Sequence, residues 1–110
     1  MADQYEAHVP PELADLLPEF LRNRRSQLLG LRRAAREQDF DRVREYANSM
    51  IGVGRPYGFP EISTLGKRID NSARDGDGTS VIYLVELYAD YLANVRVHMP
   101  DGAAFAEAAH

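Results

Sequence analysis

Apolar residues of this 110-residue chain return at every third or fourth position through four successive stretches, with prolines and a glycine between the second and third and Asp-Gly pairs between the third and fourth. That is the period of a helix with one buried stripe. The first long stretch runs from Pro18 to about Gln38, with Leu21, Leu28, Leu31 and Ala35 on the stripe. Proline is tolerated in a first helical turn, so Pro18 opens this helix. The cluster Leu13, Leu16 and Leu17, behind Pro10-Pro11, makes a short helix of its own. The second stretch has Asp39 as its N-cap and Phe40, Val43, Tyr46, Ala47, Met50 and Gly54 on one side. It ends around Arg55, because Pro56 disfavours helical geometry at the residue before it and Gly58 supplies a break. The third opens at Phe59-Pro60, carries Ile62, Leu65, Ile69 and Ala73, and stops at Asp75-Gly76-Asp77-Gly78. The fourth, capped by Thr79 or Ser80, carries Val81, Leu84, Val85, Tyr88, Tyr91, Leu92 and Val95. No strand-like alternation competes. The expectation is an all-α fold, an antiparallel up-and-down four-helix bundle with a short N-terminal helix. The bundle spans residues 10–98, after a polar lead-in over residues 1–9 and before a flexible tail over residues 99–110.

Several chemistries fall away at once. The chain has no cysteine, so disulfides and zinc–thiolate sites are excluded. Its three histidines, His8, His98 and His110, lie near the two ends and form no His-x-x-x-His pairing, so no metal site is expected. Asp75 to Gly78 has the composition of a calcium loop, but counting twelve residues from Asp70 or Asp75 reaches Val81 or Glu86, and neither register puts oxygen ligands at the other positions. With 13 basic and 17 acidic side chains the formal charge is −4, which gives nucleic acid no reason to bind. No apolar run approaches the ~20 residues of a membrane span. The first residues, acidic where a signal peptide is basic and then apolar, lead to the expectation of a cytoplasmic protein. No cofactor is expected. The arginines of the first long helix, Arg22, Arg24, Arg25, Arg32, Arg33 and Arg36, read as a solvated face.

The second helix is the informative one. Opposite its apolar stripe lie Asp41, Arg44, Glu45, Asn48, Ser49, Gly52 and Arg55. Asn48 and Gly52, four residues apart, are neighbours on one strip. A glycine in a helix interior costs about 1 kcal/mol relative to alanine, so a bare backbone at Gly52 points to something that comes close there. Gly54, on the apolar side, reads as helix packing through a small residue.

The run Ala47-Asn48-Ser49-Met50-Ile51-Gly52, followed by Tyr57-Gly58-Phe59-Pro60, resembles the signature of histidine phosphotransfer (HPt) domains of bacterial phosphorelays, A-H-x-[LM]-K-G with a glycine ten residues after the histidine. The resemblance covers roughly Pro10 to Val97 and departs from the signature at two positions. Asn48 stands where the family has its phosphorylated histidine, and Ile51 where it has a lysine. It implies a four-helix bundle whose exposed second-helix face docks a response regulator receiver domain or a histidine kinase. An amide nitrogen is no nucleophile and isoleucine cannot hold phosphate charge. The resemblance therefore implies a pseudo-HPt protein that docks through Asn48, Ile51, Gly52 and Arg55, catalyses nothing, and carries no phosphate.

Two other readings stand beside it. A working phosphocarrier would use a histidine outside the motif, His98 first and His8 second. A structural or dimerisation module would self-associate through exposed Tyr57, Phe59 or Ile51.

Overall fold

The computed structural model describes residues 5–98 and 104–105. Four helices carry the chain: α1 (Leu17–Arg36), α2 (Phe40–Gly54), α3 (Pro60–Arg74) and α4 (Gly78–Asn94). Each packs against its neighbour in sequence, and α4 closes back onto α1. Their stripes meet in one core. Leu21 and Leu31 of α1, Val43, Ala47 and Met50 of α2, Ile62, Leu65 and Ile69 of α3, and Val81, Leu84, Val85, Tyr88, Tyr91 and Leu92 of α4 are all buried. Leu28, Phe40 and Tyr46 lie half-buried at its edge. The bond between Arg32 and Glu86, with nitrogen–oxygen distances of 2.8 and 2.5 Å, ties α1 to α4 across the surface.

The connections show why the helices stop where they do. The short N-terminal helix is a 3-10 turn, Pro11–Leu16, and α1 starts immediately behind it with Pro18 in its first turn. Asp39 caps α2 by accepting from the Arg42 N–H. Arg55 keeps helical angles (φ −61°, ψ −46°) despite the proline that follows, and Arg55–Tyr57 continues as a 3-10 turn. The reversal occurs at Gly58, whose φ of 90° suits glycine. A Cβ there would also collide with the His8 carbonyl. The cap of α4 is Asp77, not Thr79 or Ser80: its carboxylate accepts from the Ser80 N–H at 3.1 Å and the Ser80 hydroxyl at 2.7 Å. Ser80 is the partner of the cap, and both bonds hold the Asp77 carboxyl below the usual carboxylate range.

Two further expectations are corrected. The segment read as a polar lead-in contains a strand, β1 (Glu6–His8), and the residues after α4 form another, β2 (Arg96–His98). The two pair in parallel, and β3 (Ala104–Phe105) adds antiparallel to the far side of β2. A parallel pair needs a long crossover, and here the four helices are that crossover. Alternation of single residues drives the pairing: Ala7, Val9, Val95 and Val97 are buried while Glu6, His8 and Arg96 are exposed. Three-residue strands are too short for the pattern to stand out in the sequence. The other correction concerns Arg24, which is buried rather than solvated. It lies 5.3 Å from the Phe20 ring centroid, its charged plane over the aromatic face. Phe20 in turn stacks on Tyr57 and Phe59, at 4.3 and 5.1 Å between centroids. Residues 99–103 and 106–110 of the expected flexible tail, His110 among them, lie outside the described residues.

Candidate functional site

The outer face of α2 presents Asn48, Gly52 and Arg55 to solvent, with Ile51 half-buried beside them. A Cβ built on Gly52 would meet no atom within 4 Å, so this glycine fills no packing need among the described residues. The Asn48 side-chain amide donates to the Arg44 carbonyl at 2.9 Å, folding the side chain back on its own helix.

The face is held from behind by α3. A Cβ at Gly66 would lie 2.8 Å from the Ala47 carbonyl oxygen and 2.9 Å from Met50 Cβ, and one at Gly54 would lie 2.5 Å from the Ser63 nitrogen. Both glycines are bare because two helices touch there. The buried Ser63 hydroxyl accepts from the Arg55 N–H at 2.9 Å and donates to the Ile51 carbonyl at 3.0 Å, so one side chain of α3 satisfies two backbone groups at the end of α2. One helical turn before Asn48, Arg44 Nε donates to Asp70 Oδ1 at 2.9 Å, and Arg74 donates to Asp70 Oδ2 at 2.8 Å. Asp70 is 6% exposed, so its charge is met by two guanidinium groups. Arg44 is thereby turned toward α3.

The four positions differ in what they can offer a partner. Asn48 offers an amide, Ile51 an alkyl chain, Gly52 its backbone and Arg55 a fixed positive charge. Ser49 lines a groove of about 260 Å³ with Gln27, Arg42, Glu45 and Tyr46, and no hydrogen bond joins its hydroxyl to a base among the described residues. Of the residues that position the face, Ser63 and Gly66 carry no reading in the sequence, and Asp70 enters there only as a rejected start for a calcium loop. Their spacing of three and four on α3 was the available signal, a strip of small and polar residues beside an apolar stripe.

The two histidines outside the motif come together, but on the sheet. His98 lies in β2. His8 and His98 sit opposite each other in the parallel pair, and His98 also meets Glu6. Of the side chains named for self-association, Phe59 is fully buried and Tyr57 lies half-buried on Phe20, which removes Phe59 from any contact surface. Among the described residues the large apolar side chains that are exposed, Leu16, Leu29, Ile82 and Tyr83, belong to other elements than α2.

No family model matches the chain, and no curated protein or solved structure matches it. Among the described residues no helix is long and apolar enough to cross a membrane.

Proposed function

We propose that this chain is a docking module of HPt type: an antiparallel up-and-down four-helix bundle that receives a receiver domain or a histidine kinase of a bacterial phosphorelay on the α2 face, in the cytoplasm, and carries no phosphate. The observation that carries this reading is Gly52. A helix-interior glycine that is exposed and has open space around it among the described residues costs about 1 kcal/mol with no return in packing there. Close approach by another molecule gives it one. Asn48 and Arg55 flank it with a neutral hydrogen-bonding group and a positive charge, and Ile51 adds apolar area at the centre. Gly58, ten residues after Asn48, stands where the HPt signature has a glycine. The module acts by occupancy, blocking a competent phosphotransfer partner or holding the receiver in one state.

The test is phosphotransfer from phosphorylated receiver domains to the wild-type chain and to an Asn48→His, Ile51→Lys variant, alongside an amide-resolved NMR titration of the unlabelled receivers. Label on the variant alone, with shifts centred on residues 48–55, supports the reading. A folded variant that takes up no label, in a chain whose α2 amides do not shift, overturns it.

A second reading draws on the Glu6–His98 contact. A carboxylate that holds one imidazole nitrogen leaves the other as a nucleophile, so a phosphocarrier acting through His98, or through His8 beside it, would label the wild type. Loss of that label in His98→Ala would then decide for it.

A further inference from the structure

Leu29 and Tyr83 are the two large apolar side chains that stand furthest out among the described residues, 69% and 61% exposed. Each is followed by charge. On α1, Arg32, Arg33 and Arg36 come three, four and seven residues after Leu29 and share its outer strip. On α4, Glu86 and Asp90 come three and seven residues after Tyr83 and share its strip in the same way. The two strips have one spacing and opposite sign. They also lie side by side, because α1 packs against α4 and Arg32 bonds Glu86 across the seam between them.

The charges are only partly used within the chain. α1 holds six arginines, of which Arg24 is buried, against the single acid Glu19, in a chain of formal charge −4. α4 holds Glu86 and Asp90 and no basic residue. The bond from Arg32 holds the Glu86 carboxyl below its usual range and the Arg36 charge adds to the lowering, yet Arg36 makes no ion pair among the described residues. Asp90 accepts from the Asn94 amide at 3.0 Å and meets no cation among the described residues.

A face of this kind selects its partner by sign. An acidic partner drawn to α1 would be repelled by α4, and a basic one the reverse. A second copy satisfies both, since half a turn about an axis running along the seam exchanges the strips. α1 of one copy then lies over α4 of the other, and Leu29 and Tyr83 leave water.

We propose that two copies of this chain pair through the outer face of α1 and α4, with the arginine strip of each over the carboxylate strip of the other and Leu29 and Tyr83 inside the contact. Asn48, Ile51, Gly52 and Arg55 belong to another face, so the proposal is independent of the reading of α2.

Sedimentation velocity of the untagged full chain over rising concentration, at low and at high salt, is the test. A monomer–dimer equilibrium is expected, weaker at high salt because the strips are screened. Leu29→Glu sets an acid against the carboxylate strip and Tyr83→Arg a base against the arginine strip, and each weakens pairing by about tenfold or more. Arg33→Glu and Asp90→Arg each weaken it alone, and mixing the two restores it, since the exchanged charges then meet across one half of the contact. Should a variant fail to keep its helical circular dichroism, dilution of the wild-type chain gives a second readout: amide signals around Leu29 and Tyr83 move while those of α2 stay. The proposal is overturned by a chain that remains monomeric at every concentration, by folded Leu29→Glu and Tyr83→Arg variants that pair as tightly as the wild type, by a mixture that pairs no better than its two parts, or by dilution shifts that fall on α2 instead.

Discussion

Gln38 and Gly76 occupy the same place in two equivalent turns, one residue beyond the C-caps of α1 and α3, and both have left-handed backbone angles, with φ of 56° and 70°. The hydrogen bonds match as well. Asp39 N–H returns to the Ala34 carbonyl at 2.9 Å and Asp77 N–H to the Ser72 carbonyl at 2.9 Å. Glycine adopts this conformation without strain, whereas a residue with a Cβ does so at a cost of about 1–2 kcal/mol. Gln38→Gly is therefore expected to stabilise the chain by up to about 1 kcal/mol, once the greater freedom of glycine in the unfolded state is deducted. Gly76→Gln is expected to destabilise it. Urea unfolding of the two variants checks the pair.

The glycines of the α2–α3 pair divide in the opposite sense. Gly52 has open space around it, so Gly52→Ala is expected to gain about 1 kcal/mol of stability from helix propensity alone. Gly66→Ala drives a methyl against the Ala47 carbonyl and is expected to lose about 1–3 kcal/mol. Thermal melts of the two variants distinguish the sites. A larger side chain at position 52, as in Gly52→Leu, leaves the fold intact and abolishes receiver binding if the face docks as proposed.

Asp70 is buried, while its two partners, Arg44 and Arg74, have side chains 40% and 57% exposed. Either arginine can be removed while the other still meets the carboxylate, so Arg44→Gln and Arg74→Gln are each expected to cost no more than about 1 kcal/mol. The double variant leaves a buried charge unmatched and is expected to cost about 3 kcal/mol or more. A double-mutant cycle by chemical denaturation measures this non-additivity.

Burial raises the Tyr88 hydroxyl from 10.0 to about 12, against a smaller lowering by the Arg24 charge. Tyr91 is raised in the same direction, also mainly by burial. The protonated phenol is the form that the folded chain prefers, so this contribution is complete below pH 10 and is lost as the pH rises from 10 toward 12. Tyr88 alone accounts for a fall of about 1.4 kcal/mol per pH unit in that window. Denaturation midpoints measured at intervals between pH 9 and pH 11.5 are expected to show the fall, with a shallower slope in Tyr88→Phe.

The helical part of this molecule was legible because each stripe is long. Val43, Ala47 and Met50, or Ile62, Leu65 and Ile69, repeat often enough for a period of 3.6 to stand out, and those residues are the core. The capping of α2 by Asp39 was legible for the same local reason, but that of α4 was shifted by two or three residues, since Asp77, Thr79 and Ser80 are all competent caps and only geometry chooses between them. The strands were hidden by their brevity. Arg24 was hidden by its type, because the stem of an arginine can lie in a core while its sequence context reads as basic surface. Asn48, Gly52 and Arg55 could be placed on an exposed strip by spacing alone. The bonds of Ser63 and Asp70 that set that strip against α3 depend on the register between two helices, which one helix's sequence does not contain.

The pairing of β1 with β2 joins residues as far apart as Glu6 and His98, 92 positions along the chain. Loop closure over that distance is opposed by the entropy of everything between, so the strands can meet only after the helices have brought them near. The sheet is then expected to form last and to open first. The amides of Val9, bonded to the His98 carbonyl at 3.1 Å, and Arg96, bonded to the Tyr5 carbonyl at 2.8 Å, would exchange with solvent at a lower opening free energy than those of α2 and α3. Exchange of these two amides while those of α2 and α3 stay protected would mark a latch, with two states that differ in whether the distant segments are fastened.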